Sequence, residues 1–175
     1  MAKRRKGLGG APLKKQKKPY HSITYGRLTE EDMFFTLGER LKNSEYECAV
    51  FVGTDSQTFS GTKVISVVAV HEIGHGGFWF HTVDWTKRYG KANLQEKIAE
   101  ETKRSIVLGK KVINFIQKNN IVCDFKIHAD IGRGKFSKTE EMIKWVVPMI
   151  EAEGFQAEVK PNSWCASSIA DRVSK

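Results

Sequence analysis

The sequence predicts a mixed α/β fold in which a five-stranded sheet is flanked by helices. Two observations predict this class. Residues 46–85 hold three runs rich in Val, Ile, Phe, Trp and Thr, two of them separated by a glycine-rich turn, which is typical of an antiparallel meander. Beyond residue 93, helical periodicity alternates with short apolar runs, as in a sheet built from alternating helices and strands. At 175 residues, the chain is long enough for one well-buried domain.

The first predicted element is a short helix that follows a basic N-terminal segment. Thr29 precedes an apolar-periodic stretch, so it is the expected N-cap of this helix. Residues 48–53 are then continuously apolar, as in a strand buried on both faces, and Asp55 follows at the predicted strand end. The runs 63–73 and 77–85 complete the meander.

The longest helical pattern begins at Leu94 and carries an acidic residue on its apolar stripe. Apolar residues recur there in steps of four and three, and Glu101 falls among them. Its neighbour Glu100 falls on a charged stripe with Lys97 and Arg104. A carboxylate on an apolar stripe is costly unless it is paired or binds a metal, so Glu101 is the better candidate for a site. The alternative is a helix register shifted by one residue.

The remaining elements contain two more acids of interest. Residues 121–129 predict a fourth strand, with Asp130 where that strand opens into a glycine-containing loop. A further helix follows, and residues 155–159 predict a short fifth strand. The last helical segment carries Asp171.

Four acidic residues are thus expected at neighbouring elements of one sheet: Asp55, Glu101, Asp130 and Asp171. Carboxylates that converge in this way can bind hard divalent cations, which prefer oxygen ligands and also bind phosphate oxygens. Each aspartate taken singly has a structural alternative, because Asp commonly turns the chain by accepting hydrogen bonds from backbone amides. Their joint placement predicts a metal site and phosphodiester hydrolysis.

Three segments carry a resemblance to a known family. The sequences GTDSQ at 53–57, HADIG at 128–132, and KP at 160–161 through ASSIAD at 166–171 are similar to those of the YkuK-type branch of the ribonuclease-H-like fold. The order of predicted elements resembles that fold as well. The resemblance covers roughly residues 28–175, and the branch is generally described as predicted ribonuclease-H-like nucleases.

The resemblance implies both a site and an activity. It implies that Asp55, Glu101, Asp130 and Asp171 are the catalytic and metal-binding carboxylates. Asp55 would contact both ions, Glu101 and Asp130 would favour one ion, and Asp171 the other. The implied cofactor is Mg²⁺ or Mn²⁺ in a two-metal site, with the ions roughly 3.5 to 4 Å apart. The implied substrate is RNA, RNA–DNA hybrid or DNA, cleaved to a 3′-hydroxyl and a 5′-phosphate. The alternative is a catalytically weak or inactive nucleic-acid-binding protein on the same fold.

The net charge of +9 is concentrated at the N-terminus, where residues 1–18 hold eight Lys or Arg and no acid. We therefore expect residues 1–27 to form a basic flexible tail and residues 28–175 to form the domain. Lys and Arg can bind phosphates with release of counterions, although a solubilising tail or a solvated turn is the alternative. The nucleic-acid-binding candidates are Lys3, Arg4, Arg5, Lys6, Lys14, Lys15, Lys17, Lys18, Arg88, Arg133 and Lys135.

Several other classes of function are disfavoured by the sequence. No apolar run approaches the roughly 20 residues of a membrane helix, and no apolar segment of a secretory signal follows the basic start. An odd number of widely spaced cysteines predicts reduced thiols in a cytoplasmic protein. His128 lies two residues before Asp130 and is either a hydrogen-bonded structural residue or a contact to phosphate.

Overall fold

The structure is a computed structural model that describes residues 18–58, 61–86, 94–132 and 138–173. Most of the basic N-terminal segment, residues 1–17, lies outside the described residues. The elements in chain order are β1 (Tyr20–Ser22), β2 (Gly26–Leu28), α1 (Glu30–Lys42), β3 (Cys48–Thr58), β4 (Thr62–Glu72), β5 (Gly76–Thr86), α2 (Leu94–Lys118), β6 (Asp124–Gly132), α3 (Glu140–Glu151), β7 (Gln156–Lys160) and α4 (Cys165–Val173).

The described strands form one mixed sheet with the order β2-β1-β5-β4-β3-β6-β7. Strands β3, β4 and β5 are an antiparallel meander, while β6 runs parallel to β3 and β7 runs parallel to β6. The predicted α/β class and the predicted meander are confirmed. The predicted α1 is also present, with Thr29 as its N-cap in a reciprocal capping box with Asp32.

The predicted number of five strands is wrong, because β1 and β2 form an additional hairpin at one edge of the sheet. The predicted tail of residues 1–27 is correspondingly too long, since the described structure of the sheet begins at Tyr20. Each of these strands has three residues, which is too short for a periodic pattern to be visible in the sequence. Tyr20 joins the core through its buried ring, and Gly26 adopts a positive φ of 70° where the hairpin turns.

The core lies on both faces of the sheet, because side chains alternate along each strand. Val50 and Val52 of β3 pack on the side of α1 and α2, whereas Phe51 packs on the side of α4. Helix α3 packs with α2 against β6 and β7. Strand β3 is therefore buried on both faces, as its continuous apolar run predicts.

The described helices and the three cysteines bear on two predictions from the sequence. No helix in the described ranges is long and apolar enough to cross a membrane. Cys48, Cys123 and Cys165 are free thiols, as their odd number and wide spacing predict.

Strands β3 and β6 are longer than predicted, which changes the position of two candidate acids. Strand β3 pairs with β4 over its whole length, up to Thr58, so Asp55 lies inside the strand opposite Ile65 rather than in a loop. Asp130 likewise lies inside β6. The parallel pairing of β3 with β6 nevertheless ends at Gly53 and His128, two residues before each aspartate. Asp55 and Asp130 are therefore level with each other just past the last parallel pair.

Helix α4 approaches the sheet closely at Gly53. A Cβ atom on this residue would lie 3.1 Å from Cβ of Ala166 and 3.2 Å from the carbonyl oxygen of His128. The absence of a side chain lets α4 pack directly on β3. This close packing places the helix that carries Asp171 beside the strand that carries Asp55.

Candidate functional site

The pair Asp55 and Asp130 forms the centre of the candidate site. Burial raises the pKa of Asp55, and the negative charge of Asp130 raises it further. Lys97 and a 2.8 Å hydrogen bond from the backbone N–H of Ser56 to Asp55 Oδ1 act in the opposite direction. This hydrogen bond is the local backbone contact that the structural alternative predicts. This hydrogen bond occupies only one carboxylate oxygen of Asp55, and its effect on the pKa is smaller than that of the charge of Asp130.

Asp130 has a buried carboxylate oxygen that contacts a lysine ammonium. Nζ of Lys160 lies 2.8 Å from Oδ1 of Asp130. This oxygen is buried and accepts no other hydrogen bond among the described residues, so the ion pair with Lys160 is its polar contact. The pairing of β6 with β7 is irregular between His128 and Gly132, which is where Asp130 lies. A buried carboxylate is costly unless a positive charge pairs with it, and the ammonium of Lys160 takes that position here.

Glu101 is the most deeply buried of the four acids, with 6% of its surface exposed. The hydroxyl of Ser56 donates a 2.6 Å hydrogen bond to Oε1 of Glu101, and Nζ of Lys97 lies 3.6 Å from the same oxygen. Burial raises the pKa of Glu101 to about 7, and the charges of Asp55 and Asp130 add to that effect. Asp130 and Glu101 also line a cavity of about 10 Å³, roughly the size of one water molecule.

The neighbouring Glu100 points away from this cluster. It accepts a 2.6 Å hydrogen bond from Arg104, which also donates a 2.9 Å hydrogen bond to Asp84. The helical stripe therefore separates Glu101 from Glu100 correctly, and the register of α2 is not shifted. The same pattern predicts Lys97 on the charged outer stripe. In the structure its ammonium is instead turned towards Glu101.

Asp171 lies on the exposed side of α4 at the edge of the cluster. Nε2 of Gln57 donates a long hydrogen bond of 3.5 Å to Oδ1 of Asp171. The charge of Asp171 also contributes to the raised pKa of Asp55. The structure therefore brings Asp171 near Asp55 and Gln57, although less tightly than it brings Asp55 to Asp130.

The donor set of this cluster suits a hard divalent cation. As the side chains stand, no group of three or more His, Cys, Asp or Glu residues in the described ranges is arranged to hold a metal ion. The carboxylates instead contact Lys97, Lys160 and the hydroxyl of Ser56. Four carboxylates thus face two ammonium groups. An all-oxygen set with an excess of negative charge fits Mg²⁺ or Mn²⁺.

His128 is a structural residue that fixes the start of α4. Its Nδ1 accepts hydrogen bonds from the backbone N–H groups of Trp164, at 3.4 Å, and Cys165, at 3.3 Å. Its Nε2 lies 3.0 Å from Oε2 of Glu158, so the ring carries its proton on Nε2 and donates it there. Burial lowers the pKa of His128, which favours this neutral form. The ring therefore caps the helix that carries Asp171, and both of its nitrogens are occupied.

We expect His128→Ala to lower the free energy of unfolding by roughly 2 to 4 kcal/mol. The substitution leaves two backbone N–H groups at the start of α4 without an acceptor and opens a cavity beside Phe51. Urea unfolding of both proteins measures the difference. His71→Ala is the matched control, because His71 is exposed and should tolerate truncation within about 0.5 kcal/mol. Equal effects of the two substitutions would contradict the capping role.

The described part of the chain includes one of the predicted nucleic-acid-binding residues. Lys18 forms an ion pair with Asp84, which also receives the hydrogen bond from Arg104. Burial opposes ionisation of Asp84, but these two cations lower its pKa to about 2. The other candidates lie outside the described residues: Lys3, Arg4, Arg5, Lys6, Lys14, Lys15, Lys17, Arg88, Arg133 and Lys135.

Three residues of the cluster were not predicted from the sequence. Lys97 could have been recognised from its i,i+4 spacing to Glu101, which places the two side chains on one turn of α2. Ser56 would follow from the alternation of β3, once that strand is known to continue past Gly53. Lys160 has no local signal, because its contact with Asp130 depends on the pairing of two strands far apart in sequence.

Comparisons with known proteins agree with this architecture. The chain matches the family model described as "Ribonuclease H-like" over residues 33–175. It is 28% identical over 178 residues to "Uncharacterized protein YkuK" of Bacillus subtilis (strain 168), an alignment that covers 89% of this chain and 96% of that protein. No solved structure matches the chain. The region matched by the family model includes all four candidate acids and begins after β2.

Proposed function

Because the chain belongs to the ribonuclease H-like family, we propose that it is a divalent-metal-dependent nuclease that hydrolyses phosphodiester bonds. Family membership supports a function that involves nucleic acid. The observation that carries the finer proposal is the pair of aspartates past the last parallel pair of β3 and β6. Asp130 of that pair already contacts a cationic group, the ammonium of Lys160.

The ions would be held by the four carboxylates of the cluster: Asp55, Glu101, Asp130 and Asp171. When bound, Mg²⁺ or Mn²⁺ supplies an activated water and stabilisation of the leaving oxygen during an in-line displacement. Asp55 is the best placed of the four to serve a shared site, since its strand β3 is paired with the strand of Asp130 and packed against the helix of Asp171.

The lysines and the serine of the cluster hold the carboxylates in place. The hydroxyl of Ser56 orients Glu101 through its 2.6 Å hydrogen bond, and Lys97 keeps a positive charge beside that carboxylate. Lys160 does the same for Asp130. These ammonium groups balance part of the negative charge, so the carboxylates can stay close together before cations and phosphate arrive.

The proposed partner is RNA, RNA–DNA hybrid or DNA. The eight basic residues of 1–18 support this proposal, because each phosphate neutralised by Lys or Arg releases condensed counterions. Lys18 is already paired with Asp84, so the remaining basic residues of the segment are the better candidates for phosphate contacts. This attraction is independent of base sequence and supplies affinity rather than specificity.

The direct test is a cleavage assay with the full chain. We expect cleavage of at least one of four substrates, namely single-stranded RNA, single-stranded DNA, duplex DNA and RNA–DNA hybrid, in Mn²⁺ or Mg²⁺. Chelation with EDTA should abolish it, because the carboxylates alone supply no activated water. Binding of these substrates without cleavage under any metal condition would contradict the nuclease.

A nucleic-acid-binding protein without cleavage is the second candidate function. The observation that favours it is the present arrangement of the carboxylates, which contact lysines and form no metal-holding group of three within the described residues. Thermal unfolding separates the two candidates before any substrate is found. A metal-binding site raises the unfolding temperature in Mn²⁺ by mass action, whereas a site closed by lysines shows no shift.

A further inference from the structure

On the side of α4, no helix within the described residues covers β5, β1 and β2. Helix α4 contacts β3, β4 and β6, whereas α1 and α2 pack on the opposite side. The α4 side of β2, β1, β5 and the adjoining part of β4 therefore forms a surface, which we call the open sheet face. Cross-strand pairing identifies the side chains that share it.

The open sheet face is basic and aromatic. Its cationic and aromatic members are Arg27, His21, Trp79, Lys63 and Trp85, and His81 on the same side is buried. None of the residues that β1, β2, β4 and β5 place on this side is acidic, because Glu72 and Asp84 point to the opposite side towards Arg40 and Arg104. A surface of this composition attracts polyanions that also offer flat ring systems.

One row of this face leads directly to the candidate site. Gln57, Lys63 and Trp85 are cross-strand neighbours on β3, β4 and β5. Gln57 donates the hydrogen bond to Asp171, and Nζ of Lys63 donates a 3.1 Å hydrogen bond to the carbonyl oxygen of Val173 at the end of α4. The indole of Trp85 is 61% exposed, and it lies about 10 Å from β3, or two strand spacings.

The ring of Trp79 lies beneath the guanidinium of Arg172, which follows Asp171 in the sequence. The guanidinium carbon of Arg172 lies 5.5 Å from the ring centroid of Trp79, and Arg172 itself is exposed. Nε1 of Trp79 is buried and has no hydrogen-bond partner among the described residues. Stacking on Trp79 holds the guanidinium at the junction between α4 and the open sheet face, where a phosphate could reach it.

We propose that the open sheet face binds single-stranded nucleic acid and leads it along the row from Trp85 to the carboxylates, an inference that rests on the proposed function. Single strands expose the faces of their bases to an aromatic platform, whereas a duplex keeps them stacked inside. Charge complementarity disfavours two other occupants. The face carries Arg27 and Lys63 and no acidic side chain, so it offers no opposite charge to the basic segment 1–17 or to a second copy of itself.

Binding measured in EDTA tests this proposal separately from cleavage. The full chain is titrated with labelled single-stranded RNA, single-stranded DNA and duplex DNA of one sequence, about 12 nucleotides long. Salt of about 0.3 M reduces the contribution of the basic segment 1–17, because counterion release weakens as salt rises. We expect single strands to bind more tightly than duplex, and the RNA and DNA arms show which single strand is preferred.

The decisive variant is Trp85→Ala, which we expect to weaken single-strand binding by roughly 5- to 100-fold, whereas Trp85→Phe keeps most of it. Phe35→Ala is the matched control, because Phe35 is 69% exposed on α1, on the opposite side of the sheet. Circular dichroism and the unfolding temperature verify that each variant is folded.

The outcomes distinguish failure of the binding platform from failure of the nuclease. Equal affinities of Trp85→Ala and Phe35→Ala, or equal binding of duplex and single strands, overturn the platform, while metal-dependent cleavage would still establish the nuclease. Self-association that is lost in Trp85→Ala without loss of nucleic-acid binding also overturns it, in favour of a second copy of the chain. A Trp85-dependent preference for single strands without any cleavage supports the platform and removes the nuclease.

Discussion

Asp55→Asn is expected to lower metal-dependent cleavage by roughly 100- to 10,000-fold while leaving the protein folded. Asp55 lies on β3, next to Asp130 on β6 and to α4 with Asp171, so it is the carboxylate best placed to hold two cations. Asparagine keeps the size and one oxygen but removes the charge. Initial cleavage rates in Mn²⁺, on the substrate that wild type cleaves best, measure the loss.

The stability of the same variant distinguishes a lost site from a damaged fold. Burial and the charge of Asp130 oppose ionisation of Asp55, so without metal Asp55→Asn should be as stable as wild type or slightly more stable. Asp124→Asn is the matched control, because Asp124 is an exposed aspartate at the opposite end of β6. Cleavage that survives in Asp55→Asn, or is lost equally in Asp124→Asn, would refute the assignment.

Much of the fold could be predicted because its signals are local. The apolar run of β3, the glycine-rich turn before β5 and the stripe of α2 each depend on neighbouring residues. The choice of Glu101 over Glu100 followed from the same periodicity. The hairpin of β1 and β2 was missed because it depends on the pairing of His21 with His81, sixty residues away in sequence.

The finer geometry of the site depends on contacts between distant residues. Local sequence suggests a loop position for Asp55, whereas pairing with β4 keeps it in a strand. The pairing of β3 with β6 ends two residues before it. The contact of Lys160 with Asp130 and the cap that His128 provides for α4 arise only when β7 and α4 are in place. No pattern within a window of ten or fifteen residues contains that information.

We expect Glu101→Gln to raise the free energy of unfolding at pH 8 by on the order of 2 to 3 kcal/mol in metal-free buffer. Glutamate has an ordinary pKa of 4.5, and burial raises the pKa of Glu101 to about 7 in the fold. Between these values the folded state binds more protons than the unfolded state, so wild-type stability falls as pH rises. Its contribution is complete below about pH 4.5 and is lost through about pH 7.

Glutamine has no such titration and can still accept the hydrogen bond from Ser56, so the variant should lack this slope. Urea unfolding in EDTA at pH 5 and pH 8 gives the comparison, with a small difference expected at pH 5. Glu100→Gln is the control, because Glu100 is partly exposed and bonded to Arg104. A variant less stable than wild type at pH 8 would show instead that Lys97 and Ser56 outweigh burial.

Addition of Mn²⁺ at pH 8 should make wild type more stable than Glu101→Gln, the reverse of the order in metal-free buffer. A divalent cation binds the ionised form of Glu101, so its stabilisation of wild type should grow from pH 5 to pH 8. Glu101→Gln offers a neutral oxygen in place of a carboxylate and should gain little at either pH. Such a reversal would mean that the buried carboxylate of Glu101 destabilises the protein without metal and stabilises it with metal. That behaviour is expected of a cation-binding residue and not of a residue retained for folding. Equal gains in wild type and variant would place any bound metal elsewhere.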